Sequence, residues 1–303
     1  DERTHPRATV KTMAFHMRMT ADFSAIDTQL YSDLYDDSFQ LGLSRDFLFA
    51  LYSNPVWEPL TKLLLVTDDN GQYVSGAAIM YRKLQLGEEL VQVGIMSGAW
   101  TPQAYRGRGL MAKMIRFVLQ DNEAHGVHYM CGFGLMNNVS ARFEIGAGAF
   151  MHPAWYAFHT QPPADAQVLP VEEIEIPHAQ LYERSYSSLR YTPAQFAVQY
   201  CLDKPGVRCL KIADMYALIE PTYNAQKVNL LTHGNLAQFE QAVVALLAHG
   251  QGQKFFFYTS DAAELAVLRR LGCEVMDGYF SVLPSGEKHR FEGPLSIVMG
   301  DRI

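Results

Sequence analysis

The chain has 303 residues, nearly half of them apolar, and carries a net charge of −7 at neutral pH. Such a length and apolar content suffice for two cores of ordinary size, and the acidic balance argues against a general binder of nucleic acid or anionic membrane. No apolar run approaches the roughly 18 residues needed to cross a bilayer and no signal-peptide core opens the chain, so a cytoplasmic protein without a membrane partner is expected.

In chain order, Asp1 stands where Met would, and residues to about Lys11 read as a tail left by processing or expression. A strand over 15–19 precedes Asp22, an expected cap for a helix to about Phe39 with Phe23, Ile26, Leu30 and Leu34 at helical spacing. Ser44 caps a second helix through Tyr52. Strands over 63–67 and 73–81 flank Asp68-Asp69-Asn70-Gly71, a hairpin signal, because Asn and Gly accept the positive φ that tight turns demand. A third strand over 90–100 completes a meander. Leu110, Met111, Met114, Ile115 and Val118 share one face of the next helix, which Gly126 stops. A strand over 129–133, a helix from about Ser140 and a strand over 155–159 follow. Pro162, Pro163, Pro170 and Pro177 then break the pattern across 161–177, which reads as a linker.

The second half repeats the first. Strands over 210–213, 216–220 and 227–232 form its meander. Its helix over 236–249 ends at Gly250, as the earlier one ends at His125-Gly126, and a strand over 254–258 and a helix over 262–271 lead to Gly272. Gly250 and Gly272 follow Gly126 and Gly148 by the same 124 residues, which points to duplication. The expected division is 13–160, a linker 161–177, and 178–303. Cys131, Cys201, Cys209 and Cys273 show neither C-x-x-C nor zinc spacing and read as buried thiols. His125 and His128 straddle Gly126 and make a poor ligand pair, so no metal is expected.

The most informative stretch is Tyr105-Arg106-Gly107-Arg108-Gly109-Leu110-Met111, between the meander and the periodic helix. Two glycines bare their backbone N–H groups, two arginines add positive charge, and a helix N-terminus favours an anion. The stretch reads as a cradle for a pyrophosphate, with a basic surface turn as its plain reading. A P-loop would need Lys and Ser or Thr after its second glycine, where Leu110 and Met111 stand. Gly107 to Ala112 satisfies the dinucleotide pattern G-x-G-x-x-A, but the parallel βαβ context is missing and the nearest acids, Asp121 and Glu123, lie inside the helix.

The run from Thr101 to Leu110 resembles the acetyl-CoA pyrophosphate loop of the GNAT superfamily of acyltransferases, Q/R-x-x-G-x-G/A, with Arg106 and Gly109 in its first two fixed positions. Met111 departs from the last small residue. The order of elements agrees over about 150 residues. The resemblance implies an α/β fold of two tandem GNAT-like domains, each a mostly antiparallel sheet flanked by helices. The second copy is degenerate, because Leu230-Leu231-Thr232-His233-Gly234 replaces the loop.

What the resemblance implies for function is transfer of an acetyl or short acyl group from acyl-CoA to an amine, by direct attack in a ternary complex. Acetyl-CoA is then the donor. Arg106, Gly107, Arg108, Gly109, Leu110 and Met111 hold its pyrophosphate, the backbone of Ala99, Trp100 and Thr101 meets the pantetheine and thioester, and Asn137 bonds the pantetheine arm or the following helix turn, unless Asn138 or Asn137 is simply the cap of that helix. Trp100 reads equally as a core aromatic. Asn137-Asn138-Val139-Ser140 with Gly148 matches the family's later motif, but the usual Tyr acid falls at Glu144. Glu144 donates only if burial raises its pKa. Tyr156 is the alternative hydroxyl, with a sheet aromatic as its plain reading. As a base only a water relay or His152 presents itself, and His152 before Pro153 reads as a turn residue. The acidic balance suits a cationic acceptor, a small amine or a lysine side chain. A carrier-protein thiol as acceptor and a non-catalytic acyl-CoA-binding or sensor protein are the alternatives, and an oligomer is left open.

Overall fold

The computed structural model describes residues 14–40, 43–200, 202–222, 224–286 and 295–301. Cys201 and the expected tail to Lys11 lie outside them. The first half contains β1 (Phe15–Thr20), α1 (Thr28–Phe39), α2 (Arg45–Tyr52), β2 (Lys62–Asp68), β3 (Tyr73–Leu86), β4 (Glu89–Trp100), α3 (Leu110–Ala124), β5 (Tyr129–Leu135), α4 (Val139–Gly146) and β6 (Phe150–His159). The second contains β7 (Val171–Ile174), α5 (His178–Glu183), β8 (Leu189–Arg190), α6 (Pro193–Gln199), β9 (Arg208–Ile212), β10 (Met215–Pro221), β11 (Gln226–Leu231), α7 (Leu236–His249), β12 (Phe255–Thr259), α8 (Ala262–Arg270) and β13 (Glu274–Pro284).

Local chemistry explains most boundaries. Ser44 caps α2 by accepting from the Phe47 N–H. Asp22, in contrast, caps only a short 3-10 turn: Ile26 returns to extended backbone, and the Asp27 carboxylate accepts from the Leu30 N–H to start α1. The Asp68 carboxylate accepts from the Asn70 and Gln72 N–H groups inside the β2–β3 hairpin, and Gly71 takes a φ of 78°. Within 161–177, β7 pairs with β9 along Val171–Ile174, so part of the connecting segment is strand.

The described strands form a sheet in the order β1-β2-β3-β4-β5-β13-β6-β12-β11-β10-β9-β7, with β8 pairing β3 off this path. The last strand of each half has crossed to the other: β13 lies against β5 of the first half and β6 against β12 of the second, while β6 and β13 pair with each other. Along this path each half-sheet therefore has five strands of its own and one donated by its partner half, and the short β8 of the second half adds to β3 of the first.

Helices cover both faces. On one, α3 packs Leu110, Met114, Ile115 and Val118 over Leu64, Ile79, Met130 and Leu283; α7 and α8 pack over Ala157, Phe255 and Phe257. On the other, α1 and α2 bury Tyr31, Tyr35, Leu48 and Leu51 against Leu63, Leu65 and Met80, and α5 and α6 bury Leu181 and Phe196 against Leu218 and Leu230. A fifth cluster joins the halves on this second face, with Tyr156, Tyr258, Phe280 and Val282 beneath Leu295 and Ile297.

Candidate functional site

β4 and β5 are paired in parallel only through Val93–Tyr129, Gly94–Met130 and Ile95–Cys131. Beyond those rows residues 96–100 and 132–135 part company, and their facing backbone groups have no ladder between them. A bulge sits on the free stretch: Ala78 faces Ser97 and Gly76 faces Trp100, so Gly98 and Ala99 share one partner position. Gly98 has a φ of 55°, and a Cβ there would lie 2.3 Å from the Tyr35 ring. Sequence reasoning passed over Gly98; its signal was a glycine inside an otherwise apolar strand.

Trp100 is 1% exposed, edge-on to Tyr31 with ring centroids 5.5 Å apart, and its indole fills the space left by Gly76. Its side chain is a core element, whereas its backbone belongs to the free edge. The Ser75 hydroxyl donates to the Trp100 carbonyl at 2.6 Å and lies 2.8 Å from the Thr101 hydroxyl, fixing the strand end from below.

The glycine turn follows at once. Arg106 Nε donates to the Thr101 carbonyl at 2.9 Å, and an Arg108 guanidinium nitrogen donates to the Ala104 carbonyl at 3.2 Å while lying over the Tyr105 ring. Both arginines thus brace the loop and remain exposed. Gly107 and Gly109 have φ values of 77° and 71°, and a Cβ on either would meet open space. Gly109 is the N-cap of α3, and no side chain caps that helix. Its first N–H groups therefore open onto the concavity that the glycines leave, with the dipole favouring an anion there. Leu110 is buried and Met111 half-buried, so both anchor the helix to the core rather than obstruct the turn.

Asn137 is exposed between β5 and α4, and of the two asparagines it is Asn138 that holds the N-cap position of α4, without a side-chain bond. Glu144, in contrast, is 8% exposed. Burial pushes its carboxyl above the ordinary range, against the hydroxyls of Ser281 and Tyr279, which pull it down. Tyr279 belongs to the donated strand β13, which the sequence pattern did not reveal. Its hydroxyl is 3.3 Å from Glu144 Oε1 and 3.3 Å from Ser140 Oγ. Gly132 and Gly134 of β5 provide the room: a Cβ on Gly134 would fall 2.6 Å from the Tyr279 hydroxyl.

Tyr156 is elsewhere. It is 1% exposed, stacked on Phe256 and edge-on to Tyr258, within the cluster that also holds Phe280. Strand alternation puts Phe280 and Tyr279 on opposite faces, so Tyr156 and Glu144 are separated by the sheet. His152 is not a turn residue: it pairs with Phe280 inside β6, and burial pushes its pKa down.

The second half keeps the split but not the cradle. β11 and β12 pair only at Gln226–Phe255 and Lys227–Phe256, and between them lies a cavity of about 270 Å³ lined by Leu231, His233, Phe257, Thr259, Glu264 and Ile297 among others. Here the helix start carries a side-chain cap: Asn235 accepts from the Gln238 N–H, and the Gln238 side chain accepts from the Gly234 N–H. His233 is paired with Glu264 at 2.8 Å. Among the described residues no group of His, Cys, Asp or Glu could hold a metal, and no helix is long and apolar enough to cross a membrane.

Comparison with known proteins agrees with this fold. Residues 25–146 match the family model described as an acetyltransferase (GNAT) domain. No curated protein matches the chain in sequence. In structure, it is similar over its whole length to a candidate acetyltransferase from Pyrococcus horikoshii (TM-score 0.62, 12% identity, 100% of this chain and 99% of that one). A tandem GNAT protein from the clavulanic acid biosynthesis pathway aligns with a TM-score of 0.58 and 12% identity, over 91% of this chain and 100% of its own. A GCN5-related N-acetyltransferase from Anabaena variabilis aligns at 0.59 and 15% identity, over 88% of this chain and 72% of its own. At such identities the likeness is one of fold.

Proposed function

From the premise that this chain has the tandem GNAT fold, with a GNAT domain matched over 25–146, we propose that it transfers an acetyl or short acyl group from acyl-CoA to an amine. The observation that carries this reading is the continuity of the split β4–β5 edge, the Gly98 bulge and the open glycine turn at the uncapped start of α3. An extended chain bearing amides would lie along the free edge, and a pyrophosphate at its end would meet the N–H groups from Gly107 to Met111. Ala99, Trp100 and Thr101 contribute backbone, Asn137 an exposed amide near the mouth. The unit 13–160 holds the donor, and the unit 178–303 acts as a wall.

The chemistry asked of the site is modest. Holding amine and thioester together supplies much of the rate, and backbone N–H groups at the bulge support the developing oxyanion. A chain of net charge −7 favours a cationic acceptor, a small amine or a lysine side chain. Release of free thiol from acetyl-CoA, measured against a panel of amines, tests the proposal. Turnover with at least one amine supports it; tight CoA binding without thiol release from any acceptor, carrier-protein thiols included, would leave a non-catalytic binder, the reading favoured by Glu144 standing where α4 would offer a tyrosine.

A further inference from the structure

We propose that the second half supplies the proton donor of the first half's reaction: Tyr279, working with Glu144 of α4, protonates the thiolate that leaves acyl-CoA. This rests on the acyl-transfer reading above.

Four observations converge. The hydroxyl that α4 lacks at Glu144 is present in space, because the Tyr279 hydroxyl lies 3.3 Å from Glu144 Oε1. Its ring crosses β5 above Gly134, three residues beyond Cys131, the last residue of β5 paired with β4, so the hydroxyl overlies the separated part of the strand. Glycines at 132 and 134 keep that face of β5 clear where Glu144 and Tyr279 need it. Ser140, one turn before Glu144 on the same face of α4, also lies 3.3 Å from the hydroxyl.

The step balances. The amine nitrogen attacks the thioester carbon, a C–N bond forms, and the C–S bond breaks with its electron pair left on sulphur. Tyr279 gives its hydroxyl proton to that thiolate, and the Glu144 carboxyl, whose Oε1 accepts from the hydroxyl in the resting site, holds the tyrosine in place. Solvent returns to the Tyr279 oxygen the proton that the acylated nitrogen sheds. Nothing is oxidised or reduced. Tyr279 is the group that meets the leaving sulphur, and Glu144 positions it.

The test is Tyr279→Phe in the full chain, which keeps the ring over Gly134 and removes only the hydroxyl. The expected result is a fall in kcat of about 100-fold or more, with the acetyl-CoA Kd unchanged by calorimetry. Gly134→Ala gives a second route, because its methyl would displace the hydroxyl without deleting it, and the same loss of kcat at unchanged Kd is expected. Wild-type turnover with Tyr279→Phe within twofold of it overturns the proposal, as does a fall in CoA affinity that accounts for the whole loss. Absence of thiol release from the wild type with any acceptor would instead sink the acyl-transfer reading itself.

Discussion

Ala154 of β6 and Gly278 of β13 face each other at the centre of the sheet, and they lie 124 residues apart, the offset that relates the two copies. Each is the repeat counterpart of the residue it pairs with. Phe150 with Val282 and Phe158 with Glu274 obey the same symmetry, so a local two-fold axis passes between Ala154 and Gly278. Gly278 has no choice of side chain, since a Cβ there would lie 2.2 Å from the Tyr156 ring.

Exchange of the last strands predicts that neither half folds alone. Residues 14–165 would expose both edges of β6 and one of β5, long apolar strands of the kind that aggregate. The two halves expressed separately are expected in the insoluble fraction, and co-expressed they should co-elute as one complex on size exclusion. A soluble, monomeric first half would refute this.

Gly98→Ala should destabilise the fold by roughly 2–3 kcal/mol, through positive φ and the clash with the Tyr35 ring. Urea unfolding measures it. Combining it with Tyr35→Leu should recover part of the loss, and strict additivity of the two substitutions would show that the contact is not the cause.

Gly109→Val should abolish CoA binding, because the side chain enters the concavity in front of α3. A β-branched residue at a φ of 71° also costs about 1–2 kcal/mol, so a Tm a few degrees lower is expected alongside. Calorimetry showing wild-type CoA affinity would place the pyrophosphate elsewhere.

Replacing Thr232, His233 and Gly234 together should leave CoA affinity within about twofold of wild type. At the start of α7 Asn235 caps the helix through the Gln238 N–H and the Gln238 side chain takes the Gly234 N–H before it, so binding is expected to saturate at one CoA for each chain. Two equivalents would contradict that.

Stability should fall in acid through Glu220. Burial alone would raise its pKa, but the Lys227 charge and hydrogen bonds from Lys204, Asn229 and Lys227 hold it down at about 2. A folded pKa below the unfolded value stabilises the protein above about pH 4.5, by on the order of 3 kcal/mol, and this is lost as the pH falls toward 2. Asp301 has the opposite sign: burial lifts its pKa to about 6, so its protonated form favours the fold and stability drops as the pH rises from about 4 through 6. In Glu220→Gln the acid limb of a ΔG-versus-pH curve should flatten, while the limb between pH 4 and 6 persists.

The glycine turn, α3, α7 and the hairpin at Gly71 were legible because each rests on local chemistry: positive φ, helical spacing, a stop residue. The sequence resemblance also carried the tandem fold. Strand β13 was not assigned, and Tyr279 with it, because period-2 alternation says which face a residue takes but not which strand lies beside it. The same blindness put Tyr156 and Glu144 forward as alternatives for one role although a sheet divides them. Trp100 showed the reverse limit, a residue placed correctly along the chain whose indole faces the core while its backbone faces the split.

The donated strand also gives a copy without a glycine cradle a use of its own. Deletion of the second copy would remove the strand that completes the first. The length and register of β13, and its glycine opposite Ala154, are thus tied to a neighbour encoded 124 residues earlier, whatever stands at 232–234.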